Sequence, residues 1–412
     1  MTVWSAADVE AAATRGATLR VGPRDVVTPL AHERARELGV TLAAADDADR
    51  ATLLPSRPPP SCPPPSRPPS SPGPPPSGSP SPALFRRGAP LPTGLAPARP
   101  RGGTPTGRVI VVGAGHVGMI AAMRMADADV FDELVLVDVD EGRAAGIALD
   151  LTHTAALSGF ATRVRGVGTV EEAGRADYVV ITAGRPRQPG MSRADLVSTN
   201  AEIVGDLACR IAVTSPDAVL VVVTNPLDEM TQHAWTCSGF PATRVLGMAG
   251  VLDTARFRAL VALEGTGPAS TVDAIALGSH GEEMVIPLSR VREGGRPVAE
   301  VVPPARVNAV VDRARGSGGE VVGLLRSGSA FLAPGTSAAR MVLAMVRETG
   351  EVMSAAVLAD GSYGIRDVYL GLPVRLGRHG LREIVHLDLA PDELAAVREA
   401  GDRIRERLGA HP

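Results

Sequence analysis

A doubly wound α/β fold is what residues 107–250 predict, on three observations. Four short apolar runs, RVIVVGAG, ELVLVDVD, YVVITAG and AVLVVVTNP, are rich in valine and continuous, the pattern of strands buried on both faces of a parallel sheet. Between them lie stretches such as HVGMIAAMRMADA and STNAEIVGDLACRIAVTS, whose apolar residues recur at helical spacing. A glycine-rich turn, GAGHVG, joins the first run to the first helical stretch. Strand, helix and strand in this rhythm build a parallel sheet with helices on both faces.

Two segments precede this body. Residues 1–54 predict a small helical segment, with one helix after Ser5 and a second in TPLAHERARELG. There Thr28 suits the cap, Pro29 the first helical position and Gly39 a left-handed stop. Residues 55–106 are saturated with Pro, Ser, Gly and Arg. They cannot bury enough apolar surface to offset ordering and predict a disordered, locally extended linker. A proline-rich partner site is the alternative to a plain spacer. At the other end, APDELAAVREAGDRIRERLG alternates charges around an apolar stripe and predicts a final amphipathic helix.

Composition narrows the chemistry. The chain has 412 residues, 44% of them hydrophobic, enough for two to three domains. A net charge of -3 gives no general attraction to nucleic acid or acidic membranes, so any arginine cluster acts locally. All 42 basic residues are arginine. That excludes Schiff-base chemistry, the phosphate-loop lysine and dehydrogenases with a lysine acid or base. Cys62, Cys209 and Cys237 form no CxxC pair and read as reduced thiols. No basic-then-apolar leader opens the chain, and no run approaches the roughly 18 apolar residues of a membrane span. The expectation is a soluble, cytoplasmic protein. No cluster of His, Asp, Glu or Cys has metal-ligand spacing, so no metal is expected.

GAGHVG sits where a dinucleotide fingerprint belongs, making the fold Rossmann-type. Gly113 would permit the tight turn, Gly115 close approach to a pyrophosphate, and Gly118 close packing of helix on strand. Backbone amides of His116 and Val117 at the helix start would face the phosphates. Asp138 ends the second run, at the spacing of the carboxylate that accepts hydrogen bonds from the ribose hydroxyls. It would repel a 2′-phosphate, which favours NAD. Other residues converge by topology on the same sheet edge. YVVITAG leads into GRPRQPGMSR, a turn-prone loop carrying three arginines, and VVVTNP ends in Asn225. Asp253 and Arg256 lie three apart, on one face of a helical turn. His280 follows a further apolar run, where a structural role is the plainer reading of a lone histidine.

GAGHVG, the aspartate after LVLVD, TAGRPRQPGMSRADL, VTNPLD, GVLDTARF, GSHGEEMV and YGIRDVYLGLPVRLGRHG, in that order, resemble the lactate/malate dehydrogenase family. The likeness covers roughly residues 107–408 and is strongest to the lactate-dehydrogenase-like malate dehydrogenases. It implies an NAD-binding domain over 107–250 and an α+β catalytic domain over 251–409. The implied activity is reversible hydride transfer between malate and oxaloacetate. His280 matches the acid/base histidine, a group that titrates near neutrality. Asp253 matches the carboxylate that orients it. Arg256 matches the arginine that grips the substrate C1 carboxylate, a planar two-pronged task. Arg193 matches the loop arginine that polarises the carbonyl. Arg187, six residues earlier, matches the position that selects substrate, and Pro189-Gly190 lets the loop swing.

An arginine at 187 would pair with the second carboxylate of oxaloacetate. A slip of one residue would put Gln188 there and favour pyruvate. Asn225 matches a residue contacting both cofactor and substrate, Asn200 a further cofactor contact, and Ala330 a site where a small residue leaves room for a dicarboxylate. Family membership further implies a homodimer or homotetramer. Two alternatives stay open: lactate or another 2-hydroxy acid as substrate, and a catalytically silent NAD-binding scaffold whose head docks a protein partner. The phrase VTPLAHERARELGV resembles a segment of some microcompartment-associated enzymes, which would supply such a partner.

Overall fold

Alternate residues of each predicted strand enter different cores. In Arg108–Val112, Val109 and Val111 join Leu134, Leu136 and Val180, while Ile110 and Val112 join Val135, Val137 and Ile181. Both faces are apolar and covered, which is why these runs are continuous rather than alternating. The computed structural model describes residues 3, 4, 9, 12, 13, 18–22, 26, 27, 29–44, 107–186, 193–281, 283–326 and 328–409. The chain divides into two units, Met1–Ser81 and Pro82–Pro412. The expected linker and the boundary at 54/55 lie outside the described residues.

In the large unit the parallel strands run in the spatial order Arg163–Val167, Glu133–Val137, Arg108–Val112, Tyr178–Ile181, Val219–Val222 and Val245–Gly247. The order reverses beside Arg108–Val112, the switch point at which such sheets bind ligands. Register places Val112 opposite both Val137 and Ile181, and Ile181 opposite Val222. The loops after these strands therefore leave the sheet from one edge.

Beyond Gly247 the sheet turns antiparallel. It continues through Val352–Asp360 and Arg366–Gly377 to Leu277–Gly278 and Met284–Val285, eleven strands among the described residues counting Gly380–Ile384 at the side. The expected fold class, a Rossmann-type parallel sheet followed by an α+β catalytic domain, is what forms, the second part being α/β with antiparallel strands. The helix Pro391–Gly409 packs on Arg366–Gly377, burying Val397, Ala400 and Ile404. Full burial of a side chain such as Val397 or Ile404 stabilises by about 1.5–3 kcal/mol.

The small unit, expected as a small helical segment, holds strands beside its helix. The helix Pro29–Leu38 forms as expected and stops at Gly39, whose φ of 65° is left-handed. Two parallel strand pairs were not expected: Val3–Trp4 with Val26–Val27, and Leu19–Val21 with Leu42–Ala44. Strands of two or three residues are too short to show a period of two. Val9, Ala12, Ala31 and Ala35 form the unit's buried cluster.

Candidate active site

The first loop at the sheet edge is shaped for a phosphate group. Gly113 has φ of 102°, and a Cβ there would lie 2.7 Å from the Ala183 amide nitrogen. Only glycine makes this turn. Gly115 caps the helix His116–Asp127, and the ground where its Cβ would stand is open to 4 Å. Gly118 is where the helix crosses the strand, since a Cβ would meet the Gly113 carbonyl oxygen. Asp138 accepts from the Ala114 amide at 2.7 Å through Oδ2 and from the Asp140 amide at 3.1 Å through Oδ1. Each oxygen keeps a further lone pair. An open cradle at a helix N-terminus beside this carboxylate fits a dinucleotide. The His116 ring itself turns to Phe331, centroids 5.0 Å apart.

Thr182–Gly184 lead towards the arginine loop. Arg187, Gln188, Pro189 and Gly190 lie outside the described residues, as does the side chain of Arg193, which opens the helix Arg193–Thr214. Asn200, from that helix, is 1% exposed. Its Nδ2 donates to the carbonyls of Arg185 at 3.2 Å and Asn225 at 2.7 Å, and its Oδ1 accepts from the Arg185 amide at 2.8 Å. Both amide hydrogens thus go to backbone. This geometry makes Asn200 a clamp between two loops.

The helix Gly250–Val261 carries Asp253 and Arg256. It enters close against Val352–Asp360, because a Cβ on Gly250 would collide with the Ser354 side chain. Asp253 is 4% exposed. Its Oδ2 lies 2.9 Å from His280 Nδ1, and its Oδ1 lies 3.4 Å from Arg256 Nη1. A carboxylate only accepts, so Nδ1 carries the hydrogen and Nε2 of the neutral ring is left as the acceptor. Burial opposes a charge on His280, but Asp253, helped by Asp228, outweighs it and raises the histidine above its ordinary value.

Asn225 and His280 stand on the wall between two cavities. One of about 280 Å³ is lined by Val117, Met248, Leu252, Arg256 and Ala330 as well. The other, of about 190 Å³, also takes in Leu196, Asp228, Glu229 and Ser279. Sequence reasoning missed the last three of these and Arg407. Adjacent acids in the first turn of the helix Leu227–Ser238 read as ordinary helix-start residues. Arg407 donates to Glu229 at 2.7 Å, Glu283 at 2.6 Å and Ser279 at 3.0 Å. Nothing in the tail's charge pattern signals those partners. Among the described residues, no group of three or more His, Cys, Asp or Glu could hold a metal ion, and no helix is long and apolar enough to cross a membrane.

A dinucleotide cradle at the switch point, with a carboxylate-held histidine and an arginine on one cavity wall, defines a nicotinamide-dependent dehydrogenase of 2-hydroxy acids. Residues 107–247 match the lactate/malate dehydrogenase NAD-binding domain and residues 250–411 the lactate/malate dehydrogenase alpha/beta C-terminal domain. The chain belongs to the lactate/malate dehydrogenase family. It is 42% identical to the malate dehydrogenase of Chloroherpeton thalassium over 73% of this chain and 96% of that one. It is 44% identical to that of Thermomicrobium roseum over 74% and 97%. The solved malate dehydrogenase of Salinibacter ruber superposes with a TM-score of 0.70 at 39% identity, covering 73% and 96%. The Cryptosporidium parvum lactate dehydrogenase, solved with lactic acid and nicotinamide adenine dinucleotide, also scores 0.70, at 32% identity over 74% and 98%.

Proposed function

We propose that this chain is an NAD-dependent malate dehydrogenase that interconverts malate and oxaloacetate. The observation that carries the reading is His280 Nδ1 held 2.9 Å from buried Asp253, with Arg256 one helical turn on and lining the same cavity. His280 takes the malate hydroxyl proton on Nε2, and Asp253 stabilises the imidazolium that results. NAD, when bound, supplies the acceptor for the hydride. Arg256 pairs with the C1 carboxylate; its side chain is 15% exposed, so the pairing occurs largely out of water. Asp138 receives the ribose hydroxyls, the amides of His116 and Val117 meet the pyrophosphate, and Asn225 sits where cofactor and substrate meet. Asn200 ties the two loops together and adds a further cofactor contact.

Malate rather than lactate is supported by Arg187, six residues before Arg193 with PG between, and by Ala330 on the cavity wall. Relatives at 42% and 44% identity are malate dehydrogenases. Arg193 polarises the carbonyl as its oxygen gains charge. We also read the chain as a cytoplasmic homo-oligomer, its free thiols Cys209 and Cys237 suiting a reducing compartment and exposed Leu149 and Leu157 suiting a contact between copies. The acid/base assignment is tested by His280→Asn. The variant is expected to lose nearly all turnover while binding NADH as before, and full activity would overturn the mechanism.

A further inference from the structure

We propose that Asp228 is a second carboxylate of the acid–base centre, a positioning residue that holds the His280 turn and whose charge sets the pH at which His280 gains and loses its proton. The proposal rests on His280 being the acid/base, as read above. Asp228 stands in the first turn of the helix Leu227–Ser238 and is 2% exposed. Its Oδ2 accepts two bonds, both from the turn that carries the histidine: Ser279 Oγ at 2.8 Å and the His280 amide at 3.1 Å. Its Oδ1 is buried with no hydrogen-bond partner among the described residues. Asp228 also lines the smaller cavity together with His280.

Two carboxylates therefore act on one imidazole from separate helices, Asp253 at the ring and Asp228 through the turn. The surrounding charges leave this role to Asp228. Glu229, its neighbour, faces Arg407. Arg407 also pairs with Glu283, which Arg403 approaches at 3.8 Å. Arg256 opposes the imidazolium from the helix that carries Asp253. Ser279 Oγ accepts from Arg407 and has a single hydrogen, which goes to Asp228.

Burial, and then the charge of Glu229, push Asp228 up to about 6. Its proton therefore comes and goes in the range where a histidine titrates, and the two groups behave as a coupled pair. Ionised Asp228 favours the imidazolium, and protonated Asp228 withdraws that support. Removing the charge must lower the pH at which His280 titrates.

The experiment is the pH dependence of kcat/KM in both directions for the full chain and for Asp228→Asn, with substrate ionisation cancelling in the ratio. Oxidation needs the neutral ring and reduction the charged one. The acid limb of malate oxidation and the alkaline limb of oxaloacetate reduction should both move down, by roughly half a unit to one unit. Ser279→Ala, which keeps the carboxylate but removes a hydrogen bond that favours its ionised form, should move both midpoints down by less than Asp228→Asn does. An Asp228→Asn profile scaled down evenly at every pH, with no midpoint shift, would reduce Asp228 to a structural part and overturn the proposal. An active His280→Asn would instead overturn the reading beneath it. Should Asp228→Asn not fold, an NMR titration of the His280 ring in the unaltered protein decides. Coupling predicts a curve broadened by a second group near pH 6, and a single-proton curve would refute it.

Discussion

Asn200 donates a 2.7 Å hydrogen bond from Nδ2 to the main-chain oxygen of Asn225, joining a helix that begins at the arginine loop to the segment between the two cavities. The same side chain holds Arg185 by both its amide and its carbonyl. One buried amide thus fixes where the loop leaves the sheet relative to Asn225. Asn200→Ala would leave these backbone groups without partners, at about 1–3 kcal/mol for each group left buried. The expected result is a melting temperature several degrees lower and kcat/KM reduced on the order of tenfold to a hundredfold. Thermal melts and steady-state kinetics measure both, and wild-type kinetics would contradict the clamp.

Asp253→Asn should cost on the order of a hundredfold or more in kcat, because the imidazolium loses its buried counter-charge and the ring its fixed tautomer. The sign for stability follows from the raised His280. Its contribution is fully present below the unfolded histidine value of about 6.5 and is lost as pH rises through the higher native one. Wild type should therefore exceed Asp253→Asn in unfolding free energy by more at pH ~6 than at pH ~9. Denaturant titrations at both pH values check this, and an equal difference would contradict it.

Arg256→Lys keeps the charge but not the planar fork. The KM for oxaloacetate should rise and kcat/KM fall on the order of a hundredfold, with NADH affinity unchanged. Fluorescence titration of NADH beside steady-state kinetics separates the two. Equal weakening of cofactor and substrate would place Arg256 elsewhere in the cleft.

What was legible in the sequence follows from where its signals are local. Arg108–Val112, Glu133–Val137, Tyr178–Ile181 and Val219–Val222 are buried along nearly their whole length, and valine runs announce that. Arg163–Val167 escaped notice because it is an edge strand, half exposed and carrying two arginines. Of the antiparallel pair, Arg366–Gly377 contributed motif residues and Val352–Asp360 none, and neither was expected as a strand. The Asp253–Arg256 face was readable from helical spacing. The link from Asp228 to Ser279 spans 51 residues and that from Glu229 to Arg407 spans 178, so only the folded chain brings them together.

Substrate choice is tested most directly by NADH oxidation by the purified chain, with oxaloacetate and pyruvate side by side. An arginine at the selecting position would have no anion to pair with when pyruvate binds. The expected kcat/KM for oxaloacetate exceeds that for pyruvate by on the order of a thousandfold or more. A preference for pyruvate would contradict the assignment of Arg187, and with it the malate reading, while leaving the dehydrogenase family untouched.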